Sequence, residues 1–222
     1  MSAALQRIEA MYRGEVGAAY AARMRHAQLD RSRFWSEVLD RTDPDSLLEV
    51  GCGTGLNLKC LAGRVPSLHG CDVSAAALEE AKYATGGLAT LTQASVGALP
   101  YRDQSFDVVA SVGVLIHTPE EDLLAVLREL ARVSSRYVLL VEYEDSHRRS
   151  IDWRGIKDAL WADAFSIKFW QANPHYVPIW RKDVDKADGF DRCHAALFER
   201  RGAMSLPKVV PLFRDAETRK AA

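Results

Sequence analysis

Apolar residues recur along this chain with two different periods, and the change from one to the other divides it. From residue 3 to residue 40 good helix formers dominate, and Leu29, Phe34, Trp35, Val38 and Leu39 recur at helical spacing, until Asp43-Pro44 ends the region. Short apolar runs then alternate with helical stretches. Strands are predicted at 46–50, 68–71, 89–93, 106–112 and 137–142, and helices at 56–63, 75–84 and from Thr118-Pro119 to about Val133. Local signals agree with these bounds. Ser74 can cap the helix after Asp72, Gly86-Gly87 breaks it, and Thr118-Pro119-Glu120-Glu121 offers a cap, a first-position proline and acids at the positive end of the helix dipole. The run 106–112, "FDVVASV", is nearly all apolar, as a strand buried on both faces should be.

This alternation predicts an α/β fold, a doubly wound and mostly parallel sheet with helices on both faces. Right-handed crossovers bring the C-terminal ends of the strands to one edge, where ligands bind. After Tyr143 the pattern loosens. Residues 144–156 are polar, 159–172 read as a helix rich in aromatics, and 176–182 and 193–199 read as two strands that bring the total to seven and give the sheet an antiparallel C-terminal edge. We therefore expect one domain over residues 1–202, with an N-terminal helical cap at 1–42, a substrate-side insertion at 144–182, and a loosely ordered tail at 203–222.

Composition narrows the function classes. Nearly half the 222 residues are hydrophobic, enough for one sizeable core, and 29 basic residues nearly balance 30 acidic ones. No basic run of the kind that binds nucleic acid is present; the short cluster Arg148, Arg149, Arg154 comes nearest. The first residues lack a signal-peptide core, and the longest nearly uncharged run, 108–118, is too short to span a bilayer, so a cytoplasmic protein with no membrane partner is expected. Cys52, Cys60, Cys71 and Cys193 form no CxxC pair, which favours reduced thiols and no metal site.

The candidate chemistry begins at "SLLEVGCGTGLNL", residues 46–58. A dinucleotide fingerprint would place its third glycine at position 56, which is Leu56; a phosphate-binding P-loop would need lysine and a hydroxyl residue where Leu56 and Asn57 stand. Glu49 precedes the turn, and an acid there repels a pyrophosphate and favours a cation. S-Adenosylmethionine, with an ammonium and a sulfonium, meets that demand. Gly51 and Gly53 let a ligand lie against the backbone, and Asp72, at the end of the second strand, can accept from both ribose hydroxyls.

"LLEVGCGTGLNL", "GCDVS", "ALPYRDQSFDVV" and "GVLIH" resemble the class I S-adenosylmethionine-dependent methyltransferases over residues 46–143, which implies a Rossmann-like fold. "GVLIHTPEEDL", "YEDSHRRSIDWRGIKDALWADAF", "YRGEVGAAYAARM" and "CHAALFERR" are similar, more narrowly, to methylases associated with pseudaminic acid biosynthesis. The resemblance implies that Glu49, Gly51, Cys52, Gly53 and Gly55 line the methionine part of the cofactor. It places Asp72 on the ribose, Val73 beside the adenine, and the backbone of Ser111 and Val112 at the ammonium. Ser95, followed by Val96, falls where many relatives carry an acid for the adenine amino group. Tyr12, Tyr20 and Arg23 lie in helices that fold over the cofactor, and Arg23 is either a partner for its carboxylate or a solvated charge.

For the acceptor side, His117 follows the fourth strand at the ligand edge and is either a general base or a structural histidine at a helix start. Glu142 and Tyr143 end the fifth strand at the same edge and can orient a substrate. Trp153, Trp161, Trp170 and Trp180, joined by Phe165, Phe169 and Tyr176, form either a core cover or a substrate lid. Trp153, Trp161 and Arg154 are the substrate-binding candidates, and an arginine there suits a carboxylate or phosphate. The expected function is methyl transfer to a small molecule such as an acidic sugar, amino acid or natural-product precursor, by a monomer or homodimer. A non-catalytic binder of the same cofactor is the alternative from another class. Leu56 and Glu49 speak against a nicotinamide oxidoreductase, and Asn173-Pro174-His175 is not the Asn-Pro-Pro-aromatic signature of nucleic-acid base methylation.

Overall fold

The computed structural model describes residues 1–25, 29–152 and 155–201. Trp153, Arg154 and the expected tail at 203–222 lie outside the described residues. The seven strands of the main sheet are β1 (Ser46–Val50), β2 (Ser67–Asp72), β3 (Thr90–Gln93), β4 (Phe106–Val112), β5 (Ser134–Glu142), β8 (Tyr176–Val184) and β9 (Cys193–Arg200). They are ordered β3-β2-β1-β4-β5-β9-β8. The first five are mutually parallel, and β9 runs antiparallel to both of its neighbours, β5 and β8. This is the Rossmann-like architecture expected, with the antiparallel strand placed one in from the edge.

Alternation along the central strands explains the two-sided burial. Leu48, Val50, Val109, Val138 and Leu140 face a core completed by α6 (Glu120–Val133) and α7 (Phe165–Ala172). Leu47, Val108, Ala110, Leu139 and Val141 face the opposite core, completed by α3 (Ser32–Thr42) and α4 (Leu58–Leu61). In α6, Leu123, Val126, Leu127 and Leu130 are spaced to cover one face and are all buried, with Glu120, Glu121 and Asp122 in the first turn. Thr118 does not cap this helix as expected. Pro119 is the capping residue, without a side-chain bond, and the Thr118 hydroxyl points back to the Val114 carbonyl oxygen. Ser74 does cap α5 (Ala75–Ala84), accepting from the Ala77 N–H.

The N-terminal helical region is three helices. Gly14, with ψ of −149°, separates α1 (Ala3–Arg13) from α2 (Glu15–Met24), and α3 follows. A Cβ on Gly17 would lie 1.7 Å from the Tyr12 carbonyl oxygen, so the tight path out of α1 demands glycine. Only α1 and α2 act as a cap over the ligand edge; α3 belongs to the core, where Phe34, Trp35 and Val38 are fully buried.

Two helix bounds move for local reasons. The helix expected at 56–63 shrinks to Leu58–Leu61, because the glycine turn continues through Asn57, whose side chain is tied to Glu49, Arg31 and Trp35. The helix expected at 159–172 begins at Phe165. Before it, β7 (Trp161–Ala162) pairs with β6 (Arg149–Ser150) in a small hairpin, and the buried Asp163 carboxylate takes the Ala164 N–H at 2.8 Å together with Arg148 and Lys168.

At Gly55, φ is +76° and an added Cβ would meet the Ala81 Cα of α5 at 2.9 Å. Gly55→Ala is therefore expected to cost about 2–4 kcal/mol and to lower the melting temperature by roughly 5–15 °C. A thermal melt within one degree of the wild type would show that the turn tolerates a side chain.

Candidate active site

The site grows from one carboxylate. Asp72 ends β2 and accepts the Gly53 N–H at 2.9 Å through Oδ2 and the Ser74 N–H at 2.8 Å through Oδ1. It thereby ties the glycine turn to the start of α5, and burial pushes its carboxyl above the ordinary range. Gly51 and Gly53 sit at φ +67° and +52°, and a Cβ on Gly51 would strike the Val114 side chain at 2.3 Å. These glycines, with Asp72, Val73, Val96 and Val112, line a cavity at the strand ends, closed above by α1 and α2. Tyr12 and Tyr20 line it as expected, and the Tyr20 ring lies directly over Gly53.

Six expected cofactor contacts, Arg23, Glu49, Cys52, Gly55, Ser95 and Ser111, are not among the residues that line the cavity. Gly55 packs on Ala81. Cys52 turns its sulfur into the core against Gly70. Ser111 is buried and donates its hydroxyl to Glu142. Arg23 is exposed, with its guanidinium 5.3 Å from the Tyr20 ring centre. Ser95 lies between the lining residues Ala94 and Val96, and its hydroxyl donates to Glu9 on α1.

Glu49 lies beneath the turn, 1% exposed, on the α3 side of the sheet. Its Oε1 accepts from the Asn57 amide at 2.5 Å, and its Oε2 has no hydrogen-bond partner. Burial pushes the carboxyl up to about 8. Asn57 in turn accepts from Arg31 at 2.9 Å and from the Trp35 indole at 3.1 Å. Arg31 and Glu49 are close enough for each to act on the other's ionisation and on that of Tyr20, so a carboxyl group, a cation and the cavity wall meet here. Sequence reasoning missed Arg31, which carries no motif. It also missed Glu9, although an acid on the face shared by Leu5, Ile8 and Tyr12 was a readable signal.

His117 lines the cavity. Its Nδ1 lies 2.6 Å from the Ala159 carbonyl oxygen, which only accepts, so Nδ1 carries the proton and Nε2 accepts from the Tyr12 hydroxyl at 2.9 Å. Burial lowers its pKa to about 4. The other two catalytic candidates face away. Glu142 is buried and accepts the Ser111 hydroxyl at 2.8 Å and the N–H groups of Val114, Leu115 and Ile116, so it fixes the turn that carries His117; burial raises its carboxyl to about 7. Tyr143 donates to Asp191 at 3.3 Å, outside the cavity lining.

The aromatic segment is mostly core. Phe165, Phe169 and Tyr176 are fully buried, Trp170 packs on the same cluster, and Trp180 packs on the opposite face near Phe34. Arg148 is bound to Asp163 and to the Thr118 carbonyl oxygen and covers the Trp161 ring at 4.6 Å, and Arg149 pairs with Asp145. Neither Trp161 nor these arginines line the cavity. Among the described residues, no group of three or more His, Cys, Asp or Glu could hold a metal, and no helix is long and apolar enough to cross a membrane.

Residues 47–136 match the family model described as a methyltransferase domain. "Probable tRNA methyltransferase 9B" of Bos taurus is 35% identical over 108 residues, which are 46% of this chain and 23% of that protein. "Methyltransferase GfsG" of Streptomyces halstedii is 36% identical over 103 residues, 44% of this chain and 36% of that protein. The chain thus spans from 23% to 36% of the length of these curated relatives. The solved magnesium protoporphyrin IX methyltransferase of Synechocystis PCC 6803 with bound S-adenosylmethionine superposes with a TM-score of 0.67 at 16% identity, over 90% of this chain and 98% of that one. It shares the fold of this chain, the matched stretch and the strands that follow it included.

Because His117 ionises at about 4 in the folded chain and at about 6.5 when unfolded, the unfolded chain binds the extra proton between those values. Its contribution to stability is full above about pH 6.5 and is lost as pH falls toward 4. Nitrogen-detected NMR is expected to show the Nδ1–H tautomer and no titration of this ring above about pH 5.5; a midpoint above 6 would contradict the burial argument.

Proposed function

We propose that the chain is an S-adenosylmethionine-dependent methyltransferase whose acceptor is a small molecule bearing a carboxylate or another already ionised oxygen. The observation that carries the cofactor is the set of polar groups at the glycine turn, Asp72 in the cavity lining and Glu49 with Arg31 behind it. Asp72 keeps acceptor capacity for a vicinal diol beside the apolar Val73, and the orphaned Glu49 oxygen next to Arg31 suits an amino acid's ammonium and carboxylate. Arg31, rather than Arg23, is the candidate partner for the carboxylate.

When bound, S-adenosylmethionine supplies an electrophilic methyl group on a sulfonium. The chain's part is to hold the acceptor in line and to exclude water, for which the α1–α2 cap and the Tyr12–His117 pair are placed. The acceptor class follows from His117. A neutral imidazole of low basicity, already bonded to a tyrosine hydroxyl, is a poor base, and a carboxylate acceptor needs none. A net charge of −1 favours a small acceptor over nucleic acid. The occupied His117 nitrogen also fits a second reading, a non-catalytic binder of the same cofactor.

Calorimetry with S-adenosylmethionine and S-adenosylhomocysteine tests the cofactor. One-to-one binding is expected, weakened about 10- to 100-fold in Arg31→Gln and Glu49→Gln. Failure of both ligands to bind would sink the assignment, and binding without turnover across carboxylate, sugar and amino-acid acceptors would favour the second reading.

Glu49 gives the binding a pH dependence. Its carboxyl holds a proton up to about pH 8, and a bound cation lowers that value, so binding releases the proton. Affinity is expected to rise from pH 6 to pH 8, while turnover of a carboxylate acceptor at saturating cofactor stays flat over the same range. A tenfold rise in turnover per pH unit would point instead to a base that must lose a proton.

A further inference from the structure

Glu9 is an acid where the packing pattern calls for an apolar side chain. On α1 it shares the inward face with Leu5, Ile8 and Tyr12, and it is only 4% exposed. A carboxylate in such a place is costly unless it is bonded. Two side chains answer that cost: Arg13 binds Oε2 at 2.8 Å from one turn along the helix, and the Ser95 hydroxyl donates to Oε1 across the chain. The Arg13 pair could form equally well on the solvated side of α1, and the Ser95 bond, which does draw Glu9 inward, uses only one of the lone pairs on Oε1.

What surrounds Glu9 gives it a use. It lines the cavity beside Leu5, Ile8, Val73, Ala77, Ala94 and Val96, an apolar wall that offers no side-chain hydrogen bond to the edge of a ring. This wall adjoins Asp72, the candidate diol acceptor. Each carboxylate oxygen accepts along two directions, so Oε1 can take one N–H in addition to the Ser95 proton. Ser95 is itself held in place by accepting the Gly97 N–H at 3.0 Å.

The geometry points to Glu9 as the residue that reads the exocyclic amino group of the cofactor's purine, with Ser95 as its positioning residue. This rests on the cofactor reading given above and adds to it the base specificity and its source, the first helix of the cap. An ionised carboxylate only accepts, so it selects a 6-amino purine and opposes a 6-oxo purine, whose oxygen would face it.

The test compares S-adenosylhomocysteine with S-inosylhomocysteine by calorimetry on the full chain. The wild type is expected to prefer the adenosyl ligand by about 30-fold or more. In Glu9→Gln the amide can turn its N–H toward a 6-oxo group, and the preference is expected to fall to about threefold or less or to reverse. Ser95→Ala keeps the carboxylate but removes its orienting donor, so an intermediate preference is expected even if Glu9→Gln folds poorly. Equal affinity of the wild type for the two ligands, or an unchanged preference in both variants, would overturn the assignment while leaving the cofactor reading standing. Absence of any adenosyl binding by the wild type would overturn that reading and this one with it.

Discussion

The Asp72 carboxylate is the joint on which the site depends. It receives one N–H from the glycine turn and one from the start of α5, and so fixes three pieces of chain that the sheet alone would leave independent. With the turn held, Gly51 and Gly53 keep left-handed conformations that no other residue adopts cheaply, and the backbone is bare where a ligand would approach. Glu142 does the same work at the end of β5. Its oxygens gather the Ser111 hydroxyl and three successive N–H groups, and the turn so formed carries His117 to the cavity. Both acids end strands, and both act by binding backbone N–H groups.

The sheet was legible because its signals are local and redundant. Strand and helix periods, Ser74 as a cap and the glycine turn all point to the same parallel core, and the strands, the cap and the turn stand where expected while two helices are shorter. Cavity residues that belong to a motif were legible for the same reason: Gly51, Gly53, Asp72 and Val73 lie on or beside the turn. What could not be read was direction. Glu142 ends β5 and Tyr143 follows it, as expected, but their side chains are claimed by backbone N–H groups and by Asp191. A strand-end position fixes where a residue is and leaves open which neighbour wins its polar atoms.

Long-range partners were illegible on the same ground. Arg31 meets Asn57 across 26 positions, and Ser95 meets Glu9 across 86. The arginine-rich and aromatic segment left a core cover and a substrate lid open, and its described rings are mostly core. Its composition fits a pocket, yet the buried Asp163 captures Arg148 and Lys168, and the rings of Phe165, Phe169 and Tyr176 fill the gap between helix and sheet. The competing demand was the core's need for volume, which takes large aromatic side chains wherever they fit.

The cap has a kinetic consequence. Its bonds to the body of the domain join residues 105 and 120 positions apart, Tyr12 to His117 and Ser2 to Asp122. Loops of that length close late, after the sheet that presents the far partners has assembled. Residues 3–24 form two helices too short to persist alone in water, so the cap is expected to order only once the sheet is present, and the closed cavity with it.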